Sequence, residues 1–196
     1  MKSAVKMDDL IRQVLRQELG LGFQDAYRVP LDVEAGTTED GRRYCWGVFD
    51  HDRQVFVPEL RNALVGYLQG VGVKKGNEYK GKVPQKLIVH MSCGAKGSYS
   101  IKSGLETAFS KSILSEIASL EKPAEPVKLV VKPGEDGKVV LPSLYLPQEQ
   151  GDVWVKPVYE YPADIGALRA VFRAAVEVVP KLDLRSWEEK QAQEAA

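Results

Sequence analysis

The stretch KKGNEYKGKVPQK, residues 74–86, is rich in glycine and lysine, two residue types that bind phosphate groups. Within it, Gly76 to Lys82 matches the Gly-x-x-x-x-Gly-Lys spacing of the loop that cradles nucleotide phosphates. Such a loop follows a buried strand, opens a helix, and carries Ser or Thr after its lysine to hold magnesium. Here Val83 and Pro84 come next, and a strand is predicted to follow. The stretch therefore does not predict a site for a nucleoside triphosphate.

The lysines of this region could instead bind the phosphates of a nucleic-acid strand. Between Lys74 and Lys111 there are eight lysines and two acidic residues, a local charge of +6 in a chain whose total charge is zero. Binding of a single strand needs cations along the phosphates and aromatic rings on which the bases stack. We expect the cations at the phosphates to be Lys80, Lys82, Lys86, Lys96 and Lys102, and the stacking rings to be Tyr79 and Tyr99.

Two considerations leave another interpretation of these lysines open. Along the strand predicted for SYSIKSG, Tyr99 and Lys102 fall on opposite faces, because side chains alternate. Lysines on a strand edge also prevent pairing with other chains, so the cluster could be a solvated surface without a ligand. The nucleic-acid prediction therefore depends on the fold bringing the cations into one groove.

Catalytic and metal-binding patterns are weak in the rest of the chain. His51 lies between two aspartates, but neighbouring side chains of a turn point apart, and no second group of His or Cys adds ligands. His90 and Cys93 fall on opposite faces of a predicted strand, and Cys45 beside Trp46 is typical of a core. We therefore expect no metal, no cofactor and no catalysis. An enzyme with an unrecognised site remains another interpretation of the chain.

Hydrophobic periodicity and turn-forming residues predict the elements that would position these side chains. Apolar residues at helical spacing predict helices over residues 7–19, 58–69, 106–120 and 163–179. Alternating β-prone runs predict strands at 44–49, 54–57, 86–93 and 98–104, a hairpin over 127–147 and a short strand within 152–162. The predicted fold class is therefore α+β.

The order strand, strand, helix, strand, strand over residues 86–146 resembles the OB fold, in which a helix joins the third and fourth strands of a five-stranded barrel. The run YKGKVPQKLIVHMSCGAKGSYSIKSGLETAFSKSILSEIASL also resembles segments of single-stranded-DNA-binding proteins of replication or plasmid type. This resemblance, over about residues 79–146, implies a small antiparallel β-barrel or strongly curved sheet. The N-terminal, middle and C-terminal helices predicted from periodicity would be additions to this core. It also implies DNA binding. An irregular mixed α+β domain with the same strand order is the competing interpretation.

The composition sets limits on the class of protein. Hydrophobic residues make up 44% of the chain and charged residues 28%, which is typical of a globular protein. No apolar run approaches the roughly 20 residues of a membrane helix, and the N-terminus lacks a secretory pattern. Two cysteines are too few for a disulfide framework, so a cytoplasmic location is expected. We predict one α+β domain at 1–180, with an OB-like core at about 42–160, and a polar tail at 181–196.

Single-stranded nucleic acid, DNA more than RNA, is the predicted partner. The tail, which carries Trp187, could contact a replication or recombination protein or a second copy of the chain. The alternative function is that of a protein–protein adaptor of phage or plasmid type, which would use helices 7–19 and 163–179 and an edge of the β-core. An adaptor should expose a contiguous apolar patch, whereas a nucleic-acid binder should expose a basic groove with open rings.

Overall fold

A computed structural model of the chain describes residues 28–76, Glu78, Gly81, 83–182 and Leu184. These residues form nine strands in one mixed sheet and two α-helices. The strands are β1 Val29–Thr37, β2 Arg43–Asp50, β3 Val55–Glu59, β4 Ala63–Lys75, β5 Gln85–Ser92, β6 Ser98–Gly104, β7 Val127–Pro133, β8 Val140–Leu146 and β9 Val153–Trp154. The helices are α1 Ala108–Ile117 and α2 Ile165–Val178. The predicted α+β class is therefore confirmed, with strands predominating.

The order of strands across the sheet is β3-β2-β1-β6-β5-β4-β7-β8-β9. All neighbouring pairs are antiparallel except β1 and β6, which run parallel. The sheet curls so that β2 approaches β7 and β1 approaches β8. Within the described part of the chain, however, the end strands β3 and β9 each have a single strand neighbour. The architecture is therefore an open mixed sheet and not a closed antiparallel barrel.

Strand β4 connects the two halves of the sheet, because its first part pairs with β7 and its longer second part pairs with β5. Gly70, at φ +151°, marks the irregularity in the pairing with β5, and a Cβ there would clash with the carbonyl oxygen of Pro180. A Cβ on Gly72 would lie 2.7 Å from Cδ1 of Leu184. These glycines therefore let the C-terminal segment cross β4 at close range.

The two helices begin at capping residues and pack on the curled sheet. Thr107 precedes α1 and accepts a hydrogen bond from the backbone N–H of Ser110, and Asp164 does the same for α2 with Ala167. Helix α1 packs on β8, and α2 packs against α1. Three apolar side chains of α1 are completely buried in the core, namely Ile113, Leu114 and Ile117. The helices predicted over 106–120 and 163–179 are confirmed with slightly shorter bounds.

The middle helix predicted over residues 58–69 is wrong, because this stretch forms the end of β3 and the first part of β4. Its leucines have helical spacing, but Val65 favours a strand, and Gly66 would cost the interior of a helix about 1 kcal/mol. The strand continues through Val71 and Val73, beyond the end of the predicted helix. Strand β1 has no counterpart among the predicted strands, and the helix predicted over 7–19 lies outside the described residues. Neither helix in the described part of the chain is long and apolar enough to span a bilayer.

Candidate nucleic-acid interface

An open groove of about 740 Å³ lies where strands β4, β5 and β6 meet β1 and the β2–β3 hairpin. We call it the lysine groove. The charged and aromatic side chains that line it are Lys74, Lys75, Lys86, Lys102, Asp32, Glu34, Phe49, His51 and Phe56. The groove therefore combines cations from one part of the sheet with rings from another.

Strand register places three of the lysines side by side. Lys74 of β4 and Lys86 of β5 are directly opposite each other, so their side chains leave the sheet on the same face. Lys102 of β6 is opposite Ile88, which lies two residues along β5 from Lys86. Because side chains alternate along a strand, Lys102 also lies on that face. The three amines thus share one wall of the groove.

The crowding of like charges affects the half-buried Lys102. Burial lowers the pKa of its amine, Asp32 raises it, and the nearby Lys74 and Lys86 lower it further. Among the described residues, no carboxylate lies within 4.0 Å of the amines of these three lysines or of Lys75. An anion in the groove would relieve the repulsion, because each amine would gain an opposite charge at short range.

The opposite wall of the groove carries aromatic rings. Phe49 of β2 and Phe56 of β3 are directly opposite each other in the hairpin, and both are half-buried. The His51 ring packs edge-on against Phe49, with their centroids 5.0 Å apart. A Cβ on Gly47 would lie 2.6 Å from the Phe56 ring, so glycine at this position leaves room for the ring. The bases of a single strand stack on aromatic rings while its phosphates contact nearby cations, so rings that face lysines across a groove suit such a ligand.

The structure brings two of the predicted phosphate-binding residues, Lys86 and Lys102, into this groove. Three other predicted residues lie outside the described part of the chain, namely Lys80, Lys82 and Tyr79. The segment that carries them is bordered by Gly76 and Pro84, and both of these residues line the groove. The Gly76 N–H donates a hydrogen bond to the Pro84 carbonyl oxygen, with an N···O distance of 2.7 Å. The segment therefore begins and ends at the groove.

The remaining two predicted residues, Lys96 and Tyr99, lie elsewhere. They line a second cavity of about 350 Å³, together with Trp46 and Arg61. The Tyr99 hydroxyl donates a hydrogen bond to the Lys96 carbonyl oxygen at 3.3 Å. Tyr99 is three residues from Lys102 on β6, and alternation places the two side chains on opposite faces. The four predicted residues that the structure describes are thus divided between two surfaces.

Sequence reasoning missed most of the side chains that line the groove, among them two lysines and two phenylalanines. Lys74 and Lys75 belong to the lysine-rich stretch. Their place opposite β5 was not predicted, because the first part of β4 was predicted to be a helix over 58–69. Phe49 and Phe56 lie on a predicted hairpin, but their position beside the lysines depends on the parallel pairing of β1 with β6. No local pattern in the sequence indicates that pairing.

The histidine and cysteines considered for catalysis are mostly buried. Burial, and then the charge of Arg28, lowers the pKa of His90 to about 4, so its imidazole is neutral at pH 7. Burial raises the pKa of the Cys45 and Cys93 thiols, which disfavours the reactive thiolate. Among the described residues, no group of three or more His, Cys, Asp or Glu side chains could hold a metal ion.

Comparison with known proteins finds no matching family model, no matching curated protein and no matching solved structure. Function is therefore inferred from the side chains of the groove and from the connections of the strands.

Proposed function

We propose that the chain binds single-stranded nucleic acid, with DNA as the expected form, in the lysine groove and without catalysis. The observation that carries the proposal is the placement of Lys74, Lys86 and Lys102 along one wall, facing Phe49 and Phe56 across the groove. The amines would pair with phosphates and the rings would stack on bases. A duplex would bind less well, because its bases already stack on one another inside the helix.

The strand connections support an OB-like core that begins at β4. Strands β4, β5 and β6 are followed by α1 and then by β7 and β8, and β4 pairs with both β5 and β7. This is the order of an OB fold, in which the face of the second and third strands and the loop between the first and second bind oligonucleotides. The corresponding strands here are β5 and β6, which carry Lys86 and Lys102. The corresponding loop is the segment 76–84, which carries Lys80 and Lys82.

Replacement of the groove lysines tests the proposal. The triple variant Lys74→Gln, Lys86→Gln, Lys102→Gln removes three charges and keeps polar side chains at these positions. Each phosphate contact contributes about 0.7 to the slope of log affinity against log salt for a single strand, so the slope should fall by about 2. The same relation gives a loss of about 100-fold in affinity at 0.1 M salt. Fluorescence anisotropy with a labelled 12-mer at several salt concentrations measures both quantities.

A matched control separates the groove from general surface charge. Lys122, Lys132 and Lys156 are exposed and do not line the groove, so their replacement by Gln removes the same charge elsewhere. The control variant should keep most of the affinity and of the salt slope. If the two triple variants lose equal affinity, the groove is not the binding site. Should the half-buried Lys102 prevent folding, the double variant of Lys74 and Lys86 tests the same point with a slope change of about 1.4.

A second candidate function, contact with another protein chain, is favoured by a specific surface. Residues 153–165, from β9 to the first residue of α2, expose six large apolar side chains, namely Val153, Trp154, Val158, Tyr159, Tyr161 and Ile165. Val158 is 78% exposed, the highest value among the large apolar side chains of the described residues. A second copy of the chain is the simplest occupant, and light scattering of the parent and a Val158→Ser, Tyr159→Ser variant tests it. If light scattering shows that the parent is a monomer, the surface of residues 153–165 does not bind a second copy of the chain.

A further inference from the structure

The lysine groove contains a negative charge that phosphate binding does not explain. Glu34 of β1 lines the groove and is exposed, and among the described residues no cation lies within 4.0 Å of its carboxylate. Asp32 differs, because it lies opposite Lys102 and raises the pKa of that amine. A free carboxylate repels a polyanion, so Glu34 weakens binding unless it contacts a part of the ligand that carries no negative charge.

The position of Glu34 indicates which part of the ligand it would meet. Strand β1 lies between β6, which carries Lys102, and β2, which carries Phe49. Glu34 is therefore placed between the wall of amines and the wall of rings. A strand that lays its phosphates on the amines and its bases on the rings would pass the edges of its bases over β1.

We infer that Glu34 determines base preference by accepting hydrogen bonds from amino groups of the bases, an inference that rests on the proposed function. A carboxylate has only acceptors to offer at neutral pH. Cytosine presents the N4 amino group, which is a donor, and acidic side chains accept from it in nucleic-acid complexes. Thymine presents the O4 carbonyl at the same position, and a carbonyl oxygen repels a carboxylate. The groove should therefore prefer cytosine to thymine.

The test compares labelled 12-mers of deoxycytidine and deoxythymidine, titrated with the full chain at pH 7.5 by fluorescence anisotropy. We expect the parent to bind the cytidine strand about tenfold more tightly than the thymidine strand, a ratio typical of one well-formed base contact. In Glu34→Gln the amide offers a donor as well as an acceptor. The ratio should fall to about one, mainly through tighter binding of the thymidine strand.

The control is Glu39→Gln, which removes the same charge from an exposed residue that does not line the groove. It should leave the preference for cytidine unchanged. A parent that binds both strands equally, or a preference that survives in Glu34→Gln, would overturn the role of Glu34 while leaving the proposed function intact. Failure of the parent to bind either strand would instead overturn the proposed function and this inference with it.

Discussion

Replacing Glu116 with glutamine should remove a pH dependence from the stability of the fold. Glu116 lies on α1 and is 3% exposed. One carboxylate oxygen accepts a hydrogen bond from the Leu144 N–H at 2.7 Å, and the other accepts one from the Trp154 indole N–H at 3.2 Å. Burial outweighs these two donors and raises the pKa of Glu116 to about 7. The carboxyl group is therefore protonated in the folded chain at pH values where it is ionised in the unfolded chain.

The sign and size of the effect follow from this difference in pKa. The ordinary pKa is 4.5, so between pH 4.5 and about 7 the folded state binds more protons than the unfolded state. The contribution of Glu116 to stability is then fully present below pH 4.5 and is lost as the pH rises to about 7. A difference of about 2.5 units corresponds to about 3 kcal/mol. Above pH 7 the contribution should be constant.

Urea denaturation of the parent and of Glu116→Gln, at intervals between pH 4.5 and 8, measures the contribution of Glu116 to the free energy of unfolding. Glutamine leaves one of the two donors without an acceptor, which is a cost that does not change with pH. The difference in unfolding free energy, variant minus parent, should therefore rise by about 3 kcal/mol from pH 4.5 to 8. A difference that stays the same over this range would refute the argument that burial governs the ionisation of Glu116.

Two further predictions concern the groove and the C-terminal segment. Phe49→Leu should keep the apolar packing but remove a stacking surface, and so weaken binding of a single strand about tenfold without changing the salt slope. Fluorescence anisotropy measures the affinity and the salt slope, and a changed slope would contradict a stacking role for Phe49. Gly72→Val should push Leu184 away from β4, because even a Cβ would lie 2.7 Å from its Cδ1. Hydrogen exchange at the Leu182 N–H, which donates to Val71 O, should become faster, and unfolding should cost about 1–3 kcal/mol less. Unchanged exchange would show that the segment does not depend on this contact.

Much of the fold could be predicted from local signals. The β2–β3 and β7–β8 hairpins are marked by polar turns between β-prone runs, and both helices have a capping residue and a regular apolar face. Strand β4 could not be predicted in this way, because the spacing of its leucines also fits a helix. What makes it a strand is its place between β5 and β7, and its glycines fit the close approach of the C-terminal segment. These are contacts between distant parts of the chain.

The candidate site was predictable only in part for the same reason. Lys86 and Lys102 belong to a charged region that is visible in the sequence, and antiparallel pairing of β5 with β6 follows from a short turn. Tyr99 is in the same region, but alternation places it on the other face. The rings that do line the groove reach it through the parallel pairing of β1 with β6. Such long-range pairing has no signature in a single sequence.

The most direct test of the central claim is to locate a bound strand on the protein. A 12-mer that carries 5-iododeoxyuridine at each position in turn can be cross-linked to the full chain by long-wavelength ultraviolet light, and the modified peptides can be identified by mass spectrometry. The account predicts adducts on Phe49, His51 or Phe56, with none on Tyr99 or Trp154. Adducts concentrated on the surface of residues 153–165 or around Tyr99, with none in the β2–β3 hairpin, would contradict it.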